Sequence, residues 1–104
     1  MVRLAQLFAR EKTSLVTSAG VVAQVWRGGA AQQVPLVYLL RRTAVIDISF
    51  AVARVLGQML GATQTTDPVD AHVVFLARER GWAILTSDPS DLRALDPNVR
   101  VERI

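Results

Sequence analysis

Asp67-Pro68-Val69-Asp70 and Asp88-Pro89-Ser90-Asp91 share one pattern, D-P-x-D, and each stands where a helix should begin. Local structure explains much of this. Asp at the N-cap accepts backbone N–H groups, Pro in the first turn is pre-set for helix, and Asp in the first turn complements the helix dipole. A second chemistry follows if the two corners meet. Carboxylates gathered at one place repel each other unless a cation neutralises them, and all-oxygen donors suit Mg²⁺ or Mn²⁺. Asp70 has the strongest case, because it shares a helical face with Val73, Val74 and Ala77 and should point inward. Asp67 and Asp91, taken singly, read first as capping residues.

The elements that must position these acids follow from patterning. Leu4, Leu7 and Phe8 sit at helical spacing, so Val2–Lys12 reads as a helix. Ser14–Thr17 reads as a short strand. Ser18 is placed to cap a helix that runs through Trp26 and stops at Gly28-Gly29. Gln32–Arg42 is a further helix with Pro35 in its first turn, and Ala44–Ile48 a β-branched strand. Phe50–Leu60 is helical up to Gly61, and Pro68–Arg80 is a helix closed by Gly81. Trp82–Thr86 is a buried strand, Pro89–Leu95 a short helix and Val99–Ile104 an alternating edge strand. Strands alternating with helices imply a parallel α/β sheet covered on both faces. The helix from Pro68 and the strand to Thr86 have similar lengths, which brings Asp67 and Asp70 back beside Asp88. That is the carboxyl edge of the sheet, where open α/β folds bind ligands.

Composition narrows the class. The chain has 104 residues, 51% of them hydrophobic and 20% charged, enough for one cored domain spanning 1–104. It has no cysteine, which removes disulfides, thiolate metal sites and a Cys nucleophile. The longest charge-free stretch, Thr13 to Trp26, is too short and too polar for a membrane span, and Met1-Val2-Arg3-Leu4 leads into no signal-peptide core. A cytoplasmic domain is the expectation. Twelve basic residues against nine acids give a net charge of +3, and all but Lys12 of the twelve are Arg. Guanidinium groups suit phosphate, yet a charge of this size is ordinary for a soluble domain. His72, the only histidine, lies two residues from Asp70 on another helical face and reads as a rim side chain. Trp26 and Trp82 read as packing residues. A receiver-like module would need an acidic pair after the first strand and a late Lys, and has neither.

Three blocks together are similar to PIN domains of the VapC type. They are Thr17-Ser18-Ala19-Gly20-Val21-Val22-Ala23-Gln24-Val25-Trp26-Arg27, Thr66-Asp67-Pro68-Val69-Asp70-Ala71 and Ile84-Leu85-Thr86-Ser87-Asp88-Pro89-Ser90-Asp91-Leu92. The resemblance covers roughly residues 14 to 104. It implies a PIN-like three-layer α/β/α sandwich and a Mg²⁺- or Mn²⁺-dependent endoribonuclease, the toxin of a type II toxin–antitoxin system. By position, Asp70 and Asp88 match the family's catalytic metal ligands, Asp67 and Asp91 neighbouring acids, and Thr86 the accompanying hydroxyl. Arg27 is a candidate for binding substrate phosphate. RNA as substrate, a cognate antitoxin and a homodimer are the implied partners, with no membrane. Two departures stand out. The family's first, central strand with its Asp has no counterpart before Ser14, as in an N-terminally truncated domain. The early-helix Glu is Gln24 here, which offers a carbonyl oxygen but no charge. With two family acids missing, the expected activity is little or none, and the alternative is a non-catalytic remnant that dimerises or binds an antitoxin.

Overall fold

The computed structural model describes residues 8–11, 14–27, 41, 43–86 and 89–103. Five strands, β1 (Phe8–Glu11), β2 (Ser14–Ser18), β3 (Thr43–Ile46), β4 (Ala83–Thr86) and β5 (Val101–Arg103), form one sheet in the order β3-β2-β1-β4-β5. Four helices accompany them: α1 (Ala19–Trp26), α2 (Phe50–Thr63), α3 (Pro68–Arg80) and α4 (Ser90–Leu95). The α/β class expected from the alternation is present, and most elements lie within a residue or two of their expected bounds.

The sheet is mixed rather than parallel. β2 pairs with β3 and β4 with β5 in parallel, while β1 runs antiparallel to both β2 and β4. Residues 8–11 therefore form a strand where the spacing of Leu4, Leu7 and Phe8 predicts a helix, and residues 1–7 lie outside the described residues. The physical reason is non-local. Without β1, the inner edges of β2 and β4 would each present unpaired N–H and C=O groups, and a ladder on both sides outweighs a few tenths of a kcal/mol of helix propensity per residue. Its direction is set by the chain: only residues 12–13 separate the paired Glu11 and Ser14, and so short a connection joins antiparallel strands. Ala9, opposite Val16 on one side and Ile84 on the other, is fully buried.

One face of the sheet carries the core. Ala9, Val16 and Ile84 meet Ala71, Val73, Val74, Leu76 and Ala77 of α3, with Leu56, Leu92 and Leu95 behind them. α3 crosses β1, β2 and β4, and α2 and α4 pack on α3. The middle of α3 is enclosed in this way, with Ala71, His72, Val73, Val74, Leu76 and Ala77 all buried, and its charged residues stand toward its two ends, so its sequence shows no single polar face. α2 runs past the expected stop at Gly61 to Thr63. It ends instead at Gln64, in the left-handed conformation at φ 56°, whose N–H returns to the Leu60 carbonyl. Gly81 closes α3 as expected, at φ 71°. The expected helix Gln32–Arg42 lies outside the described residues apart from Arg41. Trp82 packs against the core under the Arg80 guanidinium, whereas Trp26 is largely exposed.

Candidate functional site

The start of α3 builds one wall of the site. Oδ1 of Asp67 accepts the N–H groups of Val69 (2.9 Å) and Asp70 (3.2 Å), and the Asp67 carbonyl accepts that of Ala71 (3.1 Å). Pro68 occupies the position whose N–H would have no partner. Asp67 is thus a working cap, the bland half of its sequence reading. Asp70, one turn in, is half-buried. Thr65 and Thr66 come from the link between α2 and α3, where Thr65 shares a 2.8 Å hydrogen bond with Thr63. The opposite wall is α4, held down by the buried Leu92 and Leu95, so that Asp91 in its first turn stays at the surface.

These pieces enclose a cavity of about 300 Å³ lined by Thr65, Thr66, Asp67, Asp70, Asp91, Ala94 and Leu95. Asp67, Asp70 and Asp91 therefore share one pocket, although they come from two separate helix starts. Its volume has room for a hydrated cation or a phosphate group, a water in the liquid taking ~30 Å³. Oxygen donors of this kind fit Mg²⁺ or Mn²⁺ in chemistry. Among the described residues, which do not include Asp88, no group of three or more His, Cys, Asp or Glu side chains is close enough to hold a metal ion.

The remaining predicted site residues stand elsewhere. Asp88 lies outside the described residues. Thr86 is fully buried at the end of β4, on the sheet face shared with Ile84, and does not line the pocket. Gln24 and Arg27 are exposed, on α1 and just beyond it, and neither reaches the pocket wall.

His72 differs most from its sequence reading. It is fully buried rather than at a rim. Its Nδ1 lies 2.7 Å from Oγ of Ser18, which also accepts the Gly20 N–H at 3.0 Å and so caps α1. Its Nε2 is buried with no partner among the described residues, a condition that costs ~1–3 kcal/mol for a polar group. Burial pushes the imidazole pKa below its ordinary value, because the charged form loses its water. The spacing of Val69, His72 and Leu76 along one stripe of the helix was the signal that would have placed this side chain inside.

No family model, no curated protein and no solved structure matches the chain.

Proposed function

We propose that this chain is a PIN-type domain of the VapC kind, a ribonuclease toxin fold with an incomplete acid set. The observation that carries the reading is the shared pocket: Asp67, Asp70 and Asp91 line one cavity from two D-P-x-D helix starts. Asp70 and Asp88, with Asp67 or Asp91, are the residues that would hold Mg²⁺ or Mn²⁺. Such an ion would stabilise the charge that develops on a scissile phosphodiester. The chain's own residues do the rest. Asp67 fixes the first turn of α3 and thereby presents Asp70 to the cavity. Exposed Arg27 adds attraction for the RNA backbone, a contribution that salt should weaken. A cognate antitoxin and a second copy of the chain are the proposed protein partners. Among the described residues, no helix is long and apolar enough to cross a membrane.

The test is cleavage of a fluorescent RNA with Mn²⁺. Slow cleavage is expected from the wild type and none from Asp70→Asn, since carboxylates around one ion act as a unit. Cleavage that Asp70→Asn leaves unchanged sinks the reading. The second reading, a non-catalytic remnant that binds an antitoxin, is favoured by Gln24, which stands where the family's early-helix Glu would be and adds no charge. It predicts no cleavage at any Mn²⁺ concentration and no change in thermal midpoint when Mn²⁺ is added.

A further inference from the structure

We infer that Ser18 and His72 form a clasp that sets the position of Asp70 in the acidic pocket; its purpose there rests on the cation-binding reading above. The clasp joins parts of the chain 54 residues apart, the end of β2 and the first half of α3, through the 2.7 Å contact of Ser18 Oγ with His72 Nδ1. A serine hydroxyl has one hydrogen to donate and lone pairs to accept with. Ser18 Oγ accepts from Gly20 N–H, and it still has both a hydrogen to donate to Nδ1 and a second lone pair to accept from it, so either neutral tautomer of His72 closes the contact. One oxygen therefore both starts α1 and holds α3.

A second contact restrains the same turn. A Cβ added at Gly20 would stand 2.6 Å from Cγ2 of Val69, so the start of α1 is pressed against the first turn of α3. Val69 is held by that approach and His72 by the hydrogen bond, and Asp70 lies between them in sequence. At ~100° per residue, Asp70 is turned by roughly 200° from His72 about the helix axis. The imidazole faces the sheet while the carboxylate faces the cavity, and rotating α3 to move one moves the other. Asp67 fixes where the helix starts; the clasp fixes how it is turned. Burial alone does not account for the imidazole, since an aliphatic side chain would fill the space without leaving Nε2 unpartnered.

Ser18 and His72 are accordingly positioning residues, and amide hydrogen exchange on the whole chain tests them. The variants are Ser18→Ala, Ser18→Thr, His72→Leu and His72→Asn, with Leu56→Val as a control for general loss of stability. Ser18→Ala and His72→Leu should speed exchange at residues 70–73 about fivefold or more, with α2 unchanged. Ser18→Thr keeps the hydroxyl, and His72→Asn puts an amide, able to accept or donate, near the place of Nδ1; both should restore wild-type exchange there. In a parallel arm, Mn²⁺ should broaden the Asp70 and Asp91 amide signals in the wild type, and Ser18→Ala should need about fivefold more Mn²⁺ for the same broadening. Exchange that rises evenly through all helices, matches Leu56→Val, or is the same in His72→Asn as in His72→Leu overturns the clasp. Should His72→Leu fail to fold, Ser18→Ala against Ser18→Thr decides. Clasp-dependent exchange in a protein whose Asp70 signal ignores Mn²⁺ upholds the clasp and defeats the cation-binding reading instead.

Discussion

Asp67 shows how one side chain can satisfy two accounts of a sequence. Its Oδ1 takes two backbone N–H groups, so its place is explained by helix initiation before any ligand is considered. The two roles separate by substitution. Asp67→Ala should lower stability by about 1 kcal/mol in urea denaturation, whereas Asp67→Asn, which keeps a capping oxygen, should lose much less. A loss of Mn²⁺ binding in Asp67→Asn without that loss of stability would mark a separate role for the charge. His72 makes a prediction of opposite origin. Its folded pKa lies below the unfolded 6.5, so the unfolded chain takes up the proton more readily. The stability contributed by the neutral imidazole is complete above about pH 6.5 and declines as pH falls below that toward the folded value. The difference in urea midpoint between wild type and His72→Asn should therefore shift against the wild type from pH 7.5 to pH 5.5. A difference independent of pH would contradict the buried neutral imidazole.

At the scale of elements, local signals were read well where local chemistry decides. Asp67 and Gly81 bound α3 as their residue types require, and Ser18 starts α1. They mislead at residues 8–11, where the distant partner β4 decides, and at the end of α2, where one local signal overrides another. Gly61 is an ordinary stop signal, yet α2 continues two residues beyond it because Thr63 hydrogen-bonds to the Met59 carbonyl and Gln64 accepts the left-handed turn. That turn suits glycine better than glutamine. Gln64→Gly should stabilise the fold by roughly 0.5–1 kcal/mol, read as a raised thermal midpoint; no gain would mean that the Gln64 side chain supports the link to α3. Of the site, the pairing of Asp67, Asp70 and Asp91 was legible from the repeated D-P-x-D pattern. The Ser18–His72 contact was not, because no local rule connects residues 54 apart.

Across the whole molecule, β1 is the piece on which the sheet depends. It joins two parallel pairs, β3-β2 and β4-β5, that are not bonded to each other. Ala9→Pro would remove a ladder donor at the centre of the sheet and should cost at least the ~1–3 kcal/mol of a buried carbonyl left unpaired, seen as a lowered urea midpoint. A variant with a wild-type urea midpoint would show that β1 is dispensable. Several apolar side chains between β3 and the first half of α2 are exposed: Phe50 is 80% exposed, and Val45, Ile48 and Val55 are exposed as well.

A central antiparallel strand also has a temporal consequence. During synthesis the β1–β2 hairpin can close early, since its partners are neighbours, but Ala9 must wait for Ile84 before its other side is covered. Until the last third of the chain has left the ribosome, a nascent polypeptide exposes an open sheet margin in the part that will later be deepest. Folding should therefore be slow relative to helical proteins of this length, and chaperone dependence greatest in that interval.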